Sequence, residues 1–282
     1  MKNKNKITFG IIAIWIICTI IKYIEFIFIR TDLTFIGDNI ITKISCIVVI
    51  IFALKYFKIS FSDIGFKLKN ITKSILAGLS LGILTFGISY GVEILILAMQ
   101  GKQVSLKFFI TNFALTGASN SMNISLGALL ICIIVNIINV FAEEGLFRGL
   151  ILKLYTEKYG FKVANLIQAF LFGIWHIVMV SLGLYDGLMD YKTAIIMGIG
   201  YVILAGILGL EWGMCVSIGG TLWVGISEHF FNNFIGNTLH VVTQTGVDEL
   251  QIARIVLSNV LSLIIVVAVN YIIKRKSKTY KQ

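Results

Sequence analysis

Eight mostly apolar stretches follow one another along the chain, at about 7–29, 40–57, 74–99, 125–152, 163–184, 193–211, 213–236 and 253–273. A helix that crosses a bilayer needs about 20 such residues. Each stretch is therefore read as a transmembrane helix. Short polar segments separate them, except that only Glu211 and Trp212 divide the sixth from the seventh. Proline is absent, so any kink must come from glycine or from broken backbone hydrogen bonding. Small residues recur four apart at Gly78/Gly82, Gly87/Gly91 and Ala205/Gly209, a spacing that suits close helix crossings in lipid. The first stretch follows a basic start. It is too long for a signal-peptide core, lacks a small-x-small cleavage site, and reads as a retained span. No soluble domain, repeat or linker interrupts the pattern. Residues 1–282 read as a single membrane domain of all-α, polytopic class.

Composition supports this. The chain is 57% hydrophobic and 13% charged, about half the charge of a soluble domain. Its net charge of +10 is read as a topology signal rather than as affinity for nucleic acid. With eight spans, sixteen of the 24 Lys and Arg fall at the end that carries both termini, in groups such as Lys67/Lys69/Lys73 and Lys274/Arg275/Lys276. Five fall at the other end: Arg30, Lys102, Lys107, Lys192 and Arg254. Basic residues stay cytoplasmic, so the reading is a multi-pass cell-membrane protein with both termini in the cytoplasm. Cys18, Cys46, Cys132 and Cys215 each sit in an apolar run without a C-x-x-C pair and read as packing residues.

Charged groups inside spans are functional candidates by default. Lys22 and Glu25, three apart, can pair with each other. Glu93 lies toward one end of the third span. The fourth span carries "NVFAEEGLFRGL", Asn139 to Leu150. Glu144 and Arg148 are an i,i+4 pair. Glu143 points about 100° away, onto a face shared with Asn139 and Asn136. That stripe belongs toward a bundle interior or a wet cavity. Of three histidines, His176 lies in the fifth span and His229 in the seventh, while His240 falls in a loop and reads as solvated. Phe172 is one turn before His176, and Asn233 is one turn after His229. The spacing permits Glu143, His176 and His229 to converge near mid-membrane, given modest tilts or offsets.

These residues resemble the CPBP (ABI) family of intramembrane proteases, which includes the CAAX prenyl endopeptidases. Glu143-Glu144-x-x-x-Arg148 is similar to its first motif. "FGIWH", Phe172 to His176, is similar to its second, and "HFFNN", His229 to Asn233, to its third. The motif-bearing part spans about 125–240. The resemblance implies eight helices around a cytoplasm-facing cavity and an endopeptidase acting on a membrane-anchored or prenylated protein or peptide. It implies Glu143 as activator of water, with His176 beside it. His229 and Asn233 would stabilise the oxyanion, with Glu144, Arg148, Phe172 and Asn139 in support.

The residue chemistry agrees. Peptide hydrolysis needs a base, a water and donors aimed at the developing oxyanion, and Arg148 can hold Glu144 ionised. No cofactor is expected. The competing reading is a catalytic zinc on Glu143, His176 and His229, although HExxH is absent. No GxSG or GxGD motif appears; "GASN" falls in a loop, as do Asp186 and Asp190. A non-catalytic membrane scaffold or bacteriocin-immunity factor is the second reading. A transporter is the third, and it predicts broken helices in both halves.

Overall fold

The computed structural model describes residues 4–34, 36, 38–111, 125–246 and 248–279. The "GASN" stretch lies outside them. The first rod is α1 (Lys4–Ile24), continued by a π turn at Glu25–Ile29. Next come α2 (Ile40–Phe57), α3 (Ile71–Met99) and a strand, β1 (Val104–Phe108). α4 (Leu126–Glu144), a π turn (Gly145–Ile151) and α5 (Leu152–Tyr159) make one long rod. α6 (Phe161–Trp175) and α7 (Ile177–Tyr185) make another, interrupted at His176. α8 (Tyr191–Gly219), α9 (Trp223–Thr238), β2 (Leu239–Thr243) and α10 (Gln251–Thr279) complete the chain.

Seven of these rods are long and apolar enough to cross a membrane among the described residues. The expected division at Glu211 and Trp212 is not there, since α8 runs through both to Gly219. Glu211 stays inside because Ser262 of α10 donates to it at 2.5 Å. The break comes at Gly220, which takes a left-handed φ of 65° that glycine adopts without strain. The remaining long helix, α9, has only 16 residues, about 24 Å at 1.5 Å per residue, and is not among the seven.

Contacts between the connecting segments fix which ends lie together. At one end the Trp223 indole donates to the Lys67 carbonyl at 2.7 Å, and Lys158 reaches Thr8. At the other, Arg30 holds Asp186 at 2.7 Å and Lys102 pairs with Glu249. There β1 and β2 form an antiparallel ribbon with Leu106 opposite Val241. The start of α1 and the end of α10 thus share one end of the bundle. Arg30, Lys102 and Arg254, three of the cations at the ribbon end, are matched by acidic partners. This sharpens the charge asymmetry between the ends.

The outside of the bundle is apolar, with Phe9, Ile16, Ile20, Ile195, Ile199 and Ile203 all exposed, as suits a surface that lipid covers. Small residues do let helices meet at two of the three expected places. A Cβ on Gly78 would stand 2.3 Å from the Val224 carbonyl of α9, and one on Gly209 would stand 2.8 Å from Ala169 Cα of α6. Gly87 and Gly91 face open space instead. All four cysteines are buried and free.

Two local expectations fail. Glu25 does not pair with Lys22. Its carboxylate takes the backbone N–H of Ile41 at 2.8 Å, that of Thr42, and the Thr31 hydroxyl. It caps the start of α2, where unpaired N–H groups and the helix dipole favour an anion. His240 is not a solvated loop residue. It lies in β2, 2% exposed, stacked on Phe109 and bonded to Asp248 at 3.3 Å. Asp248 and Glu93 both engage Arg254, which is 1% exposed in the first turn of α10. A buried arginine demands such partners.

Candidate active site

The centre of the bundle is polar. Asn136 and Asn139 line one face of α4, at 0% and 6% exposure, and the amide oxygen of each has no hydrogen-bond partner among the described residues. Glu143 follows one turn later. The two adjacent glutamates have different surroundings. The Glu144 side chain is wholly buried and lies 3.3 Å from Arg148. That of Glu143 keeps 13% exposure, so it is the carboxylate that water can reach. The chain then enters the π turn at Gly145. Such wide turns occur as single insertions in α-helices, often at functional sites.

His229 links the two glutamates. Its Nδ1 is 3.0 Å from Glu144 Oε1, and its Nε2 is 3.8 Å from Glu143 Oε2. A carboxylate only accepts, so Nδ1 donates and Glu144 fixes the ring. His176 sits at the break between α6 and α7. Its Nδ1 donates to the Phe172 carbonyl at 2.9 Å, leaving Nε2 free for the site. The break thus has a use, because a side chain at a helix interruption is held by backbone on both sides. His176, Lys22, His229 and Lys43 are the electrostatic neighbours of Glu143.

Aromatic rings hold this set in place. The Arg148 guanidinium lies 3.8 Å from the Phe172 ring centre and 4.7 Å from that of Trp212. Trp212 stacks on His229 and donates its N–H to Glu228. Gly225 leaves room for this packing, since a Cβ there would stand 3.2 Å from Glu144 Oε2 and 3.3 Å from Trp212 Cβ. The structure therefore brings together Glu143, Glu144, Arg148, Phe172, His176 and His229, with Asn139 on the same helix face. Asn233, half-buried, is one turn beyond His229 on α9.

Sequence reasoning missed Trp212, Glu228, Glu211 and the placement of Lys22. Glu228 and Glu211 are 1% and 0% exposed, and carboxylates that deep were a signal in the sequence. Trp212 in an apolar run gave none. Among the described residues no three His, Cys, Asp or Glu side chains form a group that could hold a metal, Glu143, His176 and His229 included.

Residues 125–235 match a family model described as type II CAAX prenyl endopeptidase Rce1-like. No curated protein and no solved structure matches the chain. The matched segment runs from the cap of α4 into α9 and carries every candidate residue of the three motifs. Over this segment, the chain is similar to the type II CAAX prenyl endopeptidases.

Proposed function

We propose that the protein is an intramembrane endopeptidase of the cell membrane, with both termini cytoplasmic, that cleaves a membrane-anchored or prenylated protein or peptide. The observation that carries this reading is the asymmetry of the paired glutamates. Glu144 is sealed against Arg148 and His229, and Glu143 beside it remains accessible.

In this reading Glu143 is the general base and needs no metal. It takes a proton from water as the water oxygen bonds to the scissile carbonyl carbon. Geometry within hydrogen-bond reach makes such transfers worth about 10²–10⁴ in rate. His176 Nε2, with its partner nitrogen committed to Phe172, orients the water. The carbonyl oxygen becomes an oxyanion. It is met by the Asn233 amide, with the His229 ring held beside it by Glu144. Preorganised donors of this kind are worth about 3–4 kcal/mol each. The carbon–nitrogen bond then breaks, and Glu143 returns the proton to the leaving amine.

The test is cleavage by the purified chain in liposomes, with a farnesylated CAAX-type peptide and its unprenylated twin, products read by mass spectrometry. The reading predicts one cut near the lipidated residue, unchanged by a chelator. Loss with chelator, restored by zinc, would instead support zinc on Glu143, His176 and His229. No cleavage of any anchored peptide, with a membrane phenotype that survives Glu143→Ala, would support the scaffold or immunity-factor reading.

A further inference from the structure

Lys22 lies on α1, far outside the segment that carries the family match. It is 6% exposed. Its ammonium donates to the Trp175 carbonyl at 3.2 Å, and it rests 4.5 Å from the Trp175 ring centre and 5.5 Å from that of Phe26. Trp175 is the last residue of α6, immediately before His176. The break at His176 disturbs the helical hydrogen-bond ladder there, and a carbonyl at a helix end needs a donor from elsewhere. Lys22 supplies it.

One bond uses one of three ammonium donors. No carboxylate makes an ion-pair contact with Lys22 among the described residues, and Glu25 is spent on the cap of α2. Of the carboxylates near Lys22, Asp38 is committed to Lys43, which leaves Glu143. Lys22 in turn acts on both Glu143 and His176. A buried cation is retained only at a cost unless an anion offsets it. The site's charges sort accordingly. Glu144 and Arg148 offset each other, which leaves Glu143 as an anion without a cation on its own helix.

We infer that Lys22 is the counter-cation of Glu143 and the positioning residue for His176, supplied to the site by the first helix. The inference rests on the protease reading. When Glu143 takes the water proton, its negative charge passes to the substrate oxyanion. The ammonium stays anchored on Trp175 and offsets the charge before and after that transfer. The same anchor ties α1 to the backbone on which His176 turns. A cation so placed acts on the reaction step more than on substrate binding.

The test compares wild type, Lys22→Met and Lys22→Arg, each as full-length protein in liposomes, with kcat and KM measured separately and folding checked by thermal melting. Lys22→Met is expected to lower kcat about 10- to 100-fold with KM changed by less than about threefold, the pattern of an interaction that matters in the transition state. Lys22→Arg, which keeps the charge, is expected to recover most of that loss. Three results overturn the inference: Lys22→Met with wild-type kcat, a rise in KM alone, or folded Lys22→Arg as impaired as Lys22→Met. A wild type that cleaves nothing overturns the protease reading and this role with it. An active wild type with an unaffected Lys22→Met overturns this role alone.

Discussion

The indole of Trp212 lies flat on the imidazole of His229, with ring centres 4.1 Å apart and planes 17° from parallel. The two residues come from different helices, α8 and α9. The indole N–H is held by Glu228, the residue just before His229. The ring that faces both glutamates is therefore fixed from above by stacking and from one edge by Glu144.

Trp212→Ala is expected to lower kcat about 100-fold, the effect of misplacing a catalytic group by about 1 Å. Trp212→Phe keeps a ring over His229 but loses the N–H, and should fall between wild type and Trp212→Ala. Steady-state cleavage in liposomes checks the order. Equal activity in all three would show that His229 does not depend on the stack.

Arg148→Met leaves Glu144 buried without its cation. Breaking a fully buried pair in this way costs about 3–5 kcal/mol, so a large fall in melting temperature in detergent is expected. Glu144→Gln/Arg148→Met removes both charges and should recover much of that stability, though not activity, because His229 then loses the carboxylate that orients it. The comparison of the single and double variants by thermal melting is the check.

Gly173 carries a geometric constraint close to His176. A Cβ there would stand 2.6 Å from the backbone carbonyl of Val202 on α8, and backbone cannot move aside cheaply. Gly173→Ala should push α6 from α8 and shift His176, three residues on. We expect loss of cleavage by more than about tenfold with a lowered melting temperature, in line with overpacking costs of about 1–3 kcal/mol. Gly87→Ala, where nothing lies within 4 Å, is the matched control and should behave as wild type.

The ribbon end predicts a pH effect. Burial by itself would raise the Asp248 carboxyl, but hydrogen bonds from His240 and Arg254 hold it below its ordinary value. A carboxylate held low contributes stability that is complete above its unfolded value of about 3.9. That contribution is lost as pH falls toward the folded value. Melting temperature should therefore fall below about pH 4 in wild type, and Asp248→Asn should start lower and fall less over the same range.

Much of the site was legible because polar residues contrast with apolar surroundings. Glu143, Glu144, Arg148, His176 and His229 stood out for that reason, and their helical spacing told Glu143 from Glu144. What was not legible depended on partners distant in sequence. Lys22 and Glu25 looked like a pair by spacing alone, but Glu25 caps α2 and Lys22 reaches Trp175, 153 residues away. Glu211 looked like the end of a helix because its partner, Ser262, lies on α10. His240 read as solvated because nothing nearby in sequence announced Phe109 or Arg254. Trp212 had no polar contrast to mark it, and its role follows only from what it touches.

The central claim is that Glu143 performs the chemistry and Glu144 does not. Its most direct test is the single-turnover cleavage rate of Glu143→Gln beside wild type, on the peptide that wild type cuts, with melting temperatures confirming that both are folded. The account predicts a fall of at least about 10³-fold, within the range for loss of a general base, at unchanged stability. Cleavage by folded Glu143→Gln at the wild-type rate would contradict it.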